Sequence, residues 1–328
     1  MRAGSVELAE RTGEWVTERG RPDLVVATNM LDLAGYLGIA RRSLGAVATV
    51  QFMHENQLSY PRQPGEALDA GLAWMQWRGL VAADEVWCNS AHHRDALLAG
   101  VGDLDDGTRD GGPIADRSAI EAKTWVAHLG IEFGAVRRRP AGGRSRRPLV
   151  VSNQRWHHDK DLGSVLRALL TARDRGLGFD VALLGDPTGG EADALRPLVE
   201  RLGDAVVAMG HLDRPAYLDV LARADIVVSA ARNENFGLAV VEAIAAGAWP
   251  VLPNALAYRE VVPAEFHAAC LYEPGGLGQR LREVIERIAS GESAAPGLAA
   301  SMERFDWSTV AAALDERVDR VLDRSAAV

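Results

Sequence analysis

The chain has 328 residues, 48% of them hydrophobic, with 33 glycines and a net charge of −9. That length accommodates two domains, and the acidic balance excludes a protein that is basic all over, although a local basic patch can still carry nucleic-acid binding. No apolar run approaches the ~20 residues of a spanning helix and no signal peptide opens the chain, so the expectation is a cytoplasmic protein without membrane contact.

In chain order, residues 5–19 read as an amphipathic helix and Leu24–Thr28 as a strand announced by Arg21-Pro22-Asp23. A second strand, 45–52, runs directly into the polar segment 53–61, MHENQLSYP. A helix over 67–83 carries Trp74 and Trp77 on one face, and a third strand is expected at 84–89. Ser90 reads as the N-cap of a helix over 91–99. The Gly- and Asp-rich stretch 100–120 reads as a surface loop, and 125–128 as the last strand of the first domain. Residues 137–148, RRRPAGGRSRRP, are a basic linker and the expected domain boundary; they are either a solvated hinge or a contact to a polyanion such as RNA.

The second domain opens with the strand Leu149–Ser152, the segment 153–161 (NQRWHHDKD) and a helix over 162–175. Further strands at 181–184 and 205–208 end in glycine turns at Gly185 and Gly210. The chain closes with an amphipathic helix over 308–322. Strands alternating with helices at this spacing argue for parallel α/β sheets.

The stretch 224–253 organises the second half. Ile226, Val227 and Val228 form a short apolar run, the pattern of a strand covered on both faces. A polar loop to Asn235 follows, then a helix opening near Phe236-Gly237, and a second apolar strand after Gly247. Glu234 lies in the loop and Glu242 in the helix, with seven residues between them. A helix N-terminus offers free N–H groups to a phosphate, Gly237 permits close backbone approach, and each carboxylate can accept hydroxyls. The pattern suits a nucleotide-sugar site, while an E-x7-E pair by itself is equally an ordinary solvated pair.

This E-x7-E pair with its inner F-G, followed by E-A-x-x-x-G-x-P-V, resembles the donor-site motif of retaining glycosyltransferases of family 4. The resemblance implies a GT-B fold: two Rossmann-like, doubly wound α/β domains facing a cleft. The expected division is 1–140 on the acceptor side, 141–306 for the nucleotide sugar, and a helix over 307–328 returning to the first domain. H-E-N-Q-L-S-Y-P at 54–61 and N-Q-R-W-H-H-D-K-D at 153–161 narrow the resemblance to the tRNA-queuosine α-mannosyltransferase family. So do Cys88-Asn89-Ser90 with His93-Arg94-Asp95, and Pro253-Asn254 with 258–263. That resemblance implies transfer of mannose from GDP-mannose to queuosine in the anticodon of tRNA(Asp). It also implies a preceding strand and G-G-S-H loop, so the first domain is expected to be truncated at its N-terminus.

Lysine occurs only at Lys123 and Lys160. Arg155 and Lys160 match the arginine and lysine that similar transferases set against the donor diphosphate, whose departing charge needs cations. Glu242 is expected on the ribose and Glu234 on the sugar, with Asn235, Phe236, Gly237 and Leu238 completing the donor contacts. His54 follows a strand at its carboxyl end, where open sheets bind ligands; it is a candidate contact to the transferred sugar, or a cap of loop backbone. No cofactor is expected, and no metal: His157 and His158 lack ligand spacing, and Cys88 and Cys270 lie far apart. The expected partners are a nucleotide-sugar donor and a tRNA acceptor. Two other readings remain: a related transferase with another donor and a small or lipid acceptor, and a non-enzymatic nucleotide-binding remnant.

Overall fold

A computed structural model describes residues 2–61, 69–106, 117–136, 147–187 and 190–326. Its first elements are α1 (Arg2–Arg19), β1 (Leu24–Thr28), α2 (Leu33–Leu44), β2 (Ala48–Met53), α3 (Ala70–Ala82), β3 (Glu85–Cys88), α4 (Ala91–Asp106), α5 (Arg117–Ala122) and β4 (Thr124–Val126). Then come β5 (Leu149–Ser152), α6 (Leu162–Asp174), β6 (Asp180–Leu184), α7 (Gly190–Leu202), β7 (Val206–Gly210), α8 (Arg214–Arg223) and β8 (Ile226–Val228). The chain finishes with α9 (Leu238–Ala245), β9 (Trp249–Pro253), α10 (Tyr258–Val261), α11 (His267–Cys270), β10 (Leu271–Tyr272), α12 (Leu277–Ala289) and α13 (Trp307–Ala326). It divides into two compact units, Met1–His128 with Ala311–Val328, and Leu129–Val310.

In the first unit four parallel strands lie in the order β1-β2-β3-β4. Every crossover advances in one direction, so right-handed connections bring the connecting helices to one face. Alternation on the strands follows. Met53, Val86 and Cys88 pack with Leu97, Leu98 and Val101 of α4, whereas Val50 and Trp87 pack with Val321 and Val318 of α13. Glu85, fully buried, fastens α13: it accepts from Trp87 Nε1 at 2.9 Å and from Arg317 Nε at 2.8 Å, and it also pairs with Arg324.

The second unit holds a six-stranded sheet in the order β10-β9-β8-β5-β6-β7, every pair parallel. The chain runs outward from β5 to β7, then returns to the other side of β5 with β8. That reversal makes β5 and β8 the topological switch point, where open α/β sheets bind ligands at their carboxyl ends. Both strands are buried along their whole length, as the apolar runs require.

Three expectations need correction. The domain boundary expected at 140/141 falls at 128/129, because Ile131 N–H donates to Phe305 O and Phe133 N–H to Asp306, tying this segment to the second unit. The closing helix belongs to the first unit only from Ala311 onward. The loop expected over 100–120 is largely helical among the described residues: α4 continues to Asp106 and α5 starts at Arg117, while 107–116 lie outside them. Burial of Leu97, Leu98 and Val101 carries α4 past Gly100. A Cβ at Gly100 would stand 2.6 Å from Leu58 Cβ, so the glycine buys close packing there. Helices α2, α7, α8 and α12 lie outside the sequence expectations, and the basic stretch 137–146 lies outside the described residues.

Candidate nucleotide-sugar site

The loop after β5 and the loop after β8 meet at the switch point. Trp156 pins the first by donating from Nε1 to Leu184 O at 3.3 Å, with its ring buried. Gly185, at φ +106°, lets this loop pass close: a Cβ there would lie 2.4 Å from Gln154 O. Asp159 O accepts from the N–H groups of Arg232 and Asn233, at 2.7 and 3.3 Å, and so joins the two loops.

Lys160 is the charged centre. Its Nζ donates to Asn233 O at 2.6 Å and to Glu234 Oε2 at 3.2 Å, and lies 3.2 Å from Asp159 Oδ2. Asp159 is buried and also meets His157 Nδ1 at 2.7 Å. Burial pushes the Asp159 carboxyl up, but Lys160 and His157 beside it outweigh burial and hold it below the ordinary 3.8. Behind Glu234 lies a polar network that the sequence reading missed. Gln154 Nε2 donates to Glu234 Oε2 at 3.2 Å and to Tyr258 Oη at 3.0 Å, while Gln154 Oε1 accepts from Ser229 Oγ at 2.7 Å. Tyr258 is fully buried, which pushes its phenol well up, and Glu234 adds to the shift.

Glu242, on α9, forms a second pole. Its Oε1 lies 2.6 Å from Arg214 Nη1, and its Oε2 accepts from Tyr217 Oη at 2.8 Å. Between the poles Gly237 takes φ +92° at the start of α9, and a Cβ there would meet Tyr258 Cε1 at 3.2 Å and Glu234 Cγ at 3.5 Å. Leu238, the first residue of α9, is exposed. Asn235 is nearly buried in the loop.

One expected contact stands differently. The Phe236 side chain turns into the core, edge-on to Phe305 at 5.1 Å, so its ring is a structural anchor and only its backbone remains for a ligand. Arg155 is exposed at the loop surface.

His54 belongs to the first unit. Its N–H donates to Asn29 Oδ1 at 3.0 Å and its ring lies 4.5 Å from that of Phe52. Burial pushes its imidazole below 6.5, with Asn89 and Glu55 opposing the shift. The surroundings are mostly uncharged, with Glu55 the carboxylate beside them: Asn29, Asn56, Gln76, Asn89, Ser90 and His93 are all buried near the carboxyl ends of β1, β2 and β3. Ser90 Oγ accepts from His93 N–H at 2.9 Å, the N-cap expected for α4.

Residues 1–131 match the family model described as tRNA-queuosine alpha-mannosyltransferase N-terminal, and 137–302 match that of glycosyl transferases group 1. A tRNA-queuosine alpha-mannosyltransferase of Drosophila melanogaster is 30% identical over 250 residues, 74% of this chain and 66% of the relative. A GDP-mannose-dependent alpha-(1-6)-phosphatidylinositol dimannoside mannosyltransferase of Mycobacterium tuberculosis is 25% identical over 284 residues, 83% of this chain and 68% of that protein. The chain thus spans about two thirds of the length of these curated relatives, and 46% of a mycobacterial glycogen synthase that also matches. Among solved structures, sucrose-phosphate synthase from Thermosynechococcus elongatus has a TM-score of 0.72 at 18% identity, covering 97% of this chain and 78% of its own. HepE of Anabaena, in complex with UDP and glucose, gives 0.70 at 20%, covering 96% and 81%. At those identities the likeness speaks for the fold, which is the GT-B fold of two parallel-sheet α/β domains.

Proposed function

The chain belongs to the glycosyl transferases group 1 family and carries the N-terminal region of the tRNA-queuosine alpha-mannosyltransferases, and from that premise we propose that it transfers mannose from GDP-mannose to queuosine in the anticodon of tRNA(Asp), in the cytoplasm, with retention of configuration. The observation that carries the donor half is Lys160 held against Glu234 at the switch point, a cation beside a hydroxyl acceptor, with Glu242 at the other end of the same motif. In this reading Lys160, helped by Arg155 and the start of α9, takes the diphosphate, Glu234 the sugar hydroxyls and Glu242 the ribose. Asn235, Gly237, Leu238 and the Phe236 backbone line the donor between them. The bond from the sugar's anomeric carbon to the diphosphate oxygen breaks, the acceptor oxygen bonds on the same face, and the acceptor proton passes to the departing diphosphate. Lysine, arginine and a helix terminus supply the positive charge, so no metal is needed.

The acceptor half rests on the family of the first 131 residues and on the basic stretch 137–147. Of its six arginines only Arg147 is a described residue, and it meets Asp180 at 2.9 Å. Calorimetry with GDP, UDP and ADP, followed by transfer to queuosine-containing and queuosine-free tRNA in excess EDTA, tests the proposal. GDP binding and EDTA-resistant mannosylation confined to the modified tRNA are expected. A strict metal requirement overturns the charge assignment. Transfer to a polyprenol or inositol lipid instead, acceptors suggested by the mannosyltransferase relatives' names, replaces the acceptor.

A further inference from the structure

Arg214 and Tyr217 stand one helical turn apart on α8, outside the donor motif itself. Asp213 caps this helix by accepting from Ala216 N–H at 2.9 Å, which fixes where Arg214 begins it. The Arg214 guanidinium lies 5.5 Å above the Tyr217 ring. Both residues converge on Glu242, a carboxylate 6% exposed on an otherwise apolar helix. A carboxylate left alone there would be costly. The directions of the bonds are set from outside. Ala239 O can only accept, so the Asn153 group 2.7 Å from it is the Nδ2 amide. The same Nδ2 donates to Tyr217 Oη at 3.1 Å, which turns the Tyr217 proton toward Glu242 Oε2. Burial, with Glu242 next, pushes the Tyr217 phenol far up, so it remains a donor.

Each Glu242 oxygen therefore receives one protein donor, Arg214 on Oε1 and Tyr217 on Oε2. An ionised carboxylate offers about four acceptor positions, two per oxygen, so about one stays open on each. Two adjacent acceptor positions on a fixed plane match a vicinal diol. We infer that Arg214, Tyr217 and Asn153 form a positioning set that fixes the Glu242 carboxylate for bidentate capture of the two ribose hydroxyls, and so makes the site selective for ribonucleotides. This rests on the nucleotide-sugar reading of the site. Arg214 and Tyr217 are positioning residues: they act on the ribose through Glu242.

The test compares a nucleoside diphosphate with its 2′,3′-dideoxy form by calorimetry, using whichever of GDP, UDP and ADP binds the intact protein. Tightened by two charge-assisted bonds, the ribo form should bind about tenfold or more better. In Arg214→Gln and in Tyr217→Phe that ratio should fall to about threefold or less, because the freed carboxylate no longer presents a fixed pair of acceptors, while dideoxy affinity stays within about twofold. Thermal melts show whether each variant is folded, and Tyr217→Phe keeps the ring and the Asn153 bond to Ala239 as the gentler of the two. A wild-type ratio retained in both folded variants, or a parallel loss for both ligands, overturns the inference while leaving the nucleotide site standing. If none of the three diphosphates binds the intact protein, the underlying reading falls and this inference with it.

Discussion

The carboxyl ends of the two sheets are furnished in opposite ways. In the second unit Lys160 pairs with both Asp159 and Glu234, and Glu242 pairs with Arg214. In the first unit the corresponding positions hold mainly amides, a serine and histidines, with Glu55 the carboxylate among them. Asn29 Oδ1 takes the N–H groups of His54 and Glu55, and Gln76 bonds Gln57 N–H and Glu55 O. Charged pairs suit a ligand whose own charge grows during reaction, because fixed ions stabilise it without reorganising. Neutral donors and acceptors suit a ligand read by its hydrogen-bond pattern. Under the proposed function, the anionic work falls to the second unit.

The largest effect expected from this contrast is at Lys160. Lys160→Met removes the cation that lies 3.2 Å from both Asp159 and Glu234, so transfer, or donor hydrolysis, should fall by about two to three orders of magnitude in kcat. Steady-state kinetics on folded variants decide it. His54→Ala, on the neutral side, should cost less and leave nucleotide affinity unchanged. If both variants lose kcat equally, the division of labour is wrong.

Acid should separate the two units next. Burial, assisted by His92 and His54, pushes the His93 imidazole down to about 3 from 6.5. Between those values the unfolded chain binds more protons than the folded one, so stability falls as pH drops, on the order of 1 kcal/mol per pH unit. Asp159 has the same sign but a lower window: its folded carboxyl titrates below 3.8, so its contribution is intact above that value and is lost only as the pH falls further. Hydrogen exchange at a pH of about 5 should show β3 and α4 losing protection while β5 and α6 keep theirs. His93→Gln should flatten the acid limb, and an unchanged limb would remove His93 as its source.

How much of this was legible beforehand depends on sequence distance. The strands flanking the site, the Ser90 cap and the pair Glu234 and Glu242 are local signals, and each could be read from a few neighbouring residues. Helix α2 was equally legible, with Asp32 ahead of Leu33, Tyr36, Ala40 and Leu44 at helical spacing, yet it lay outside the expectations. The network of Gln154, Ser229 and Tyr258 was not legible: Gln154 and Tyr258 sit inside quoted motifs, but the three meet across 75 and 104 residues, which no local pattern shows. Arg214 resembled any surface cation until the register of α8 brought it to Glu242. Phe236 misled for the reverse reason, since its place inside the motif hides that its ring faces Phe305 in the core.

A smaller effect is expected within the neutral set. Asn29 is buried, and Asn29→Ala would strip the acceptor from two backbone N–H groups at once. The loss should be about 1–3 kcal/mol in denaturant unfolding, typical of stranded donors. Nucleotide affinity should not move, because the change lies in the first unit. A parallel fall in nucleotide affinity would mean that the neutral set also shapes the donor site.

The smallest effect separates charge that serves the site from charge that only borders it. Arg232 lies in the same loop as Glu234, and its guanidinium meets Asp161 Oδ2 at 2.9 Å. Sequence position alone would rank it with Lys160. Its side chain, however, is 63% exposed, against 11% for Lys160. Water screens an exposed pair, and holding a long side chain in place offsets much of the remaining attraction. Asp161 also has independent work as the cap of α6, accepting from Ser164 N–H at 3.3 Å and Ser164 Oγ at 3.0 Å. The anchor that does fix the loop is the Arg232 backbone, whose N–H reaches Asp159 O at 2.7 Å whatever the side chain is. Arg232→Gln should therefore change stability by less than about 1 kcal/mol and leave kcat within about twofold, a difference that shrinks further in high salt. A loss of kcat approaching that of Lys160→Met would show that the Arg232 charge acts on the donor.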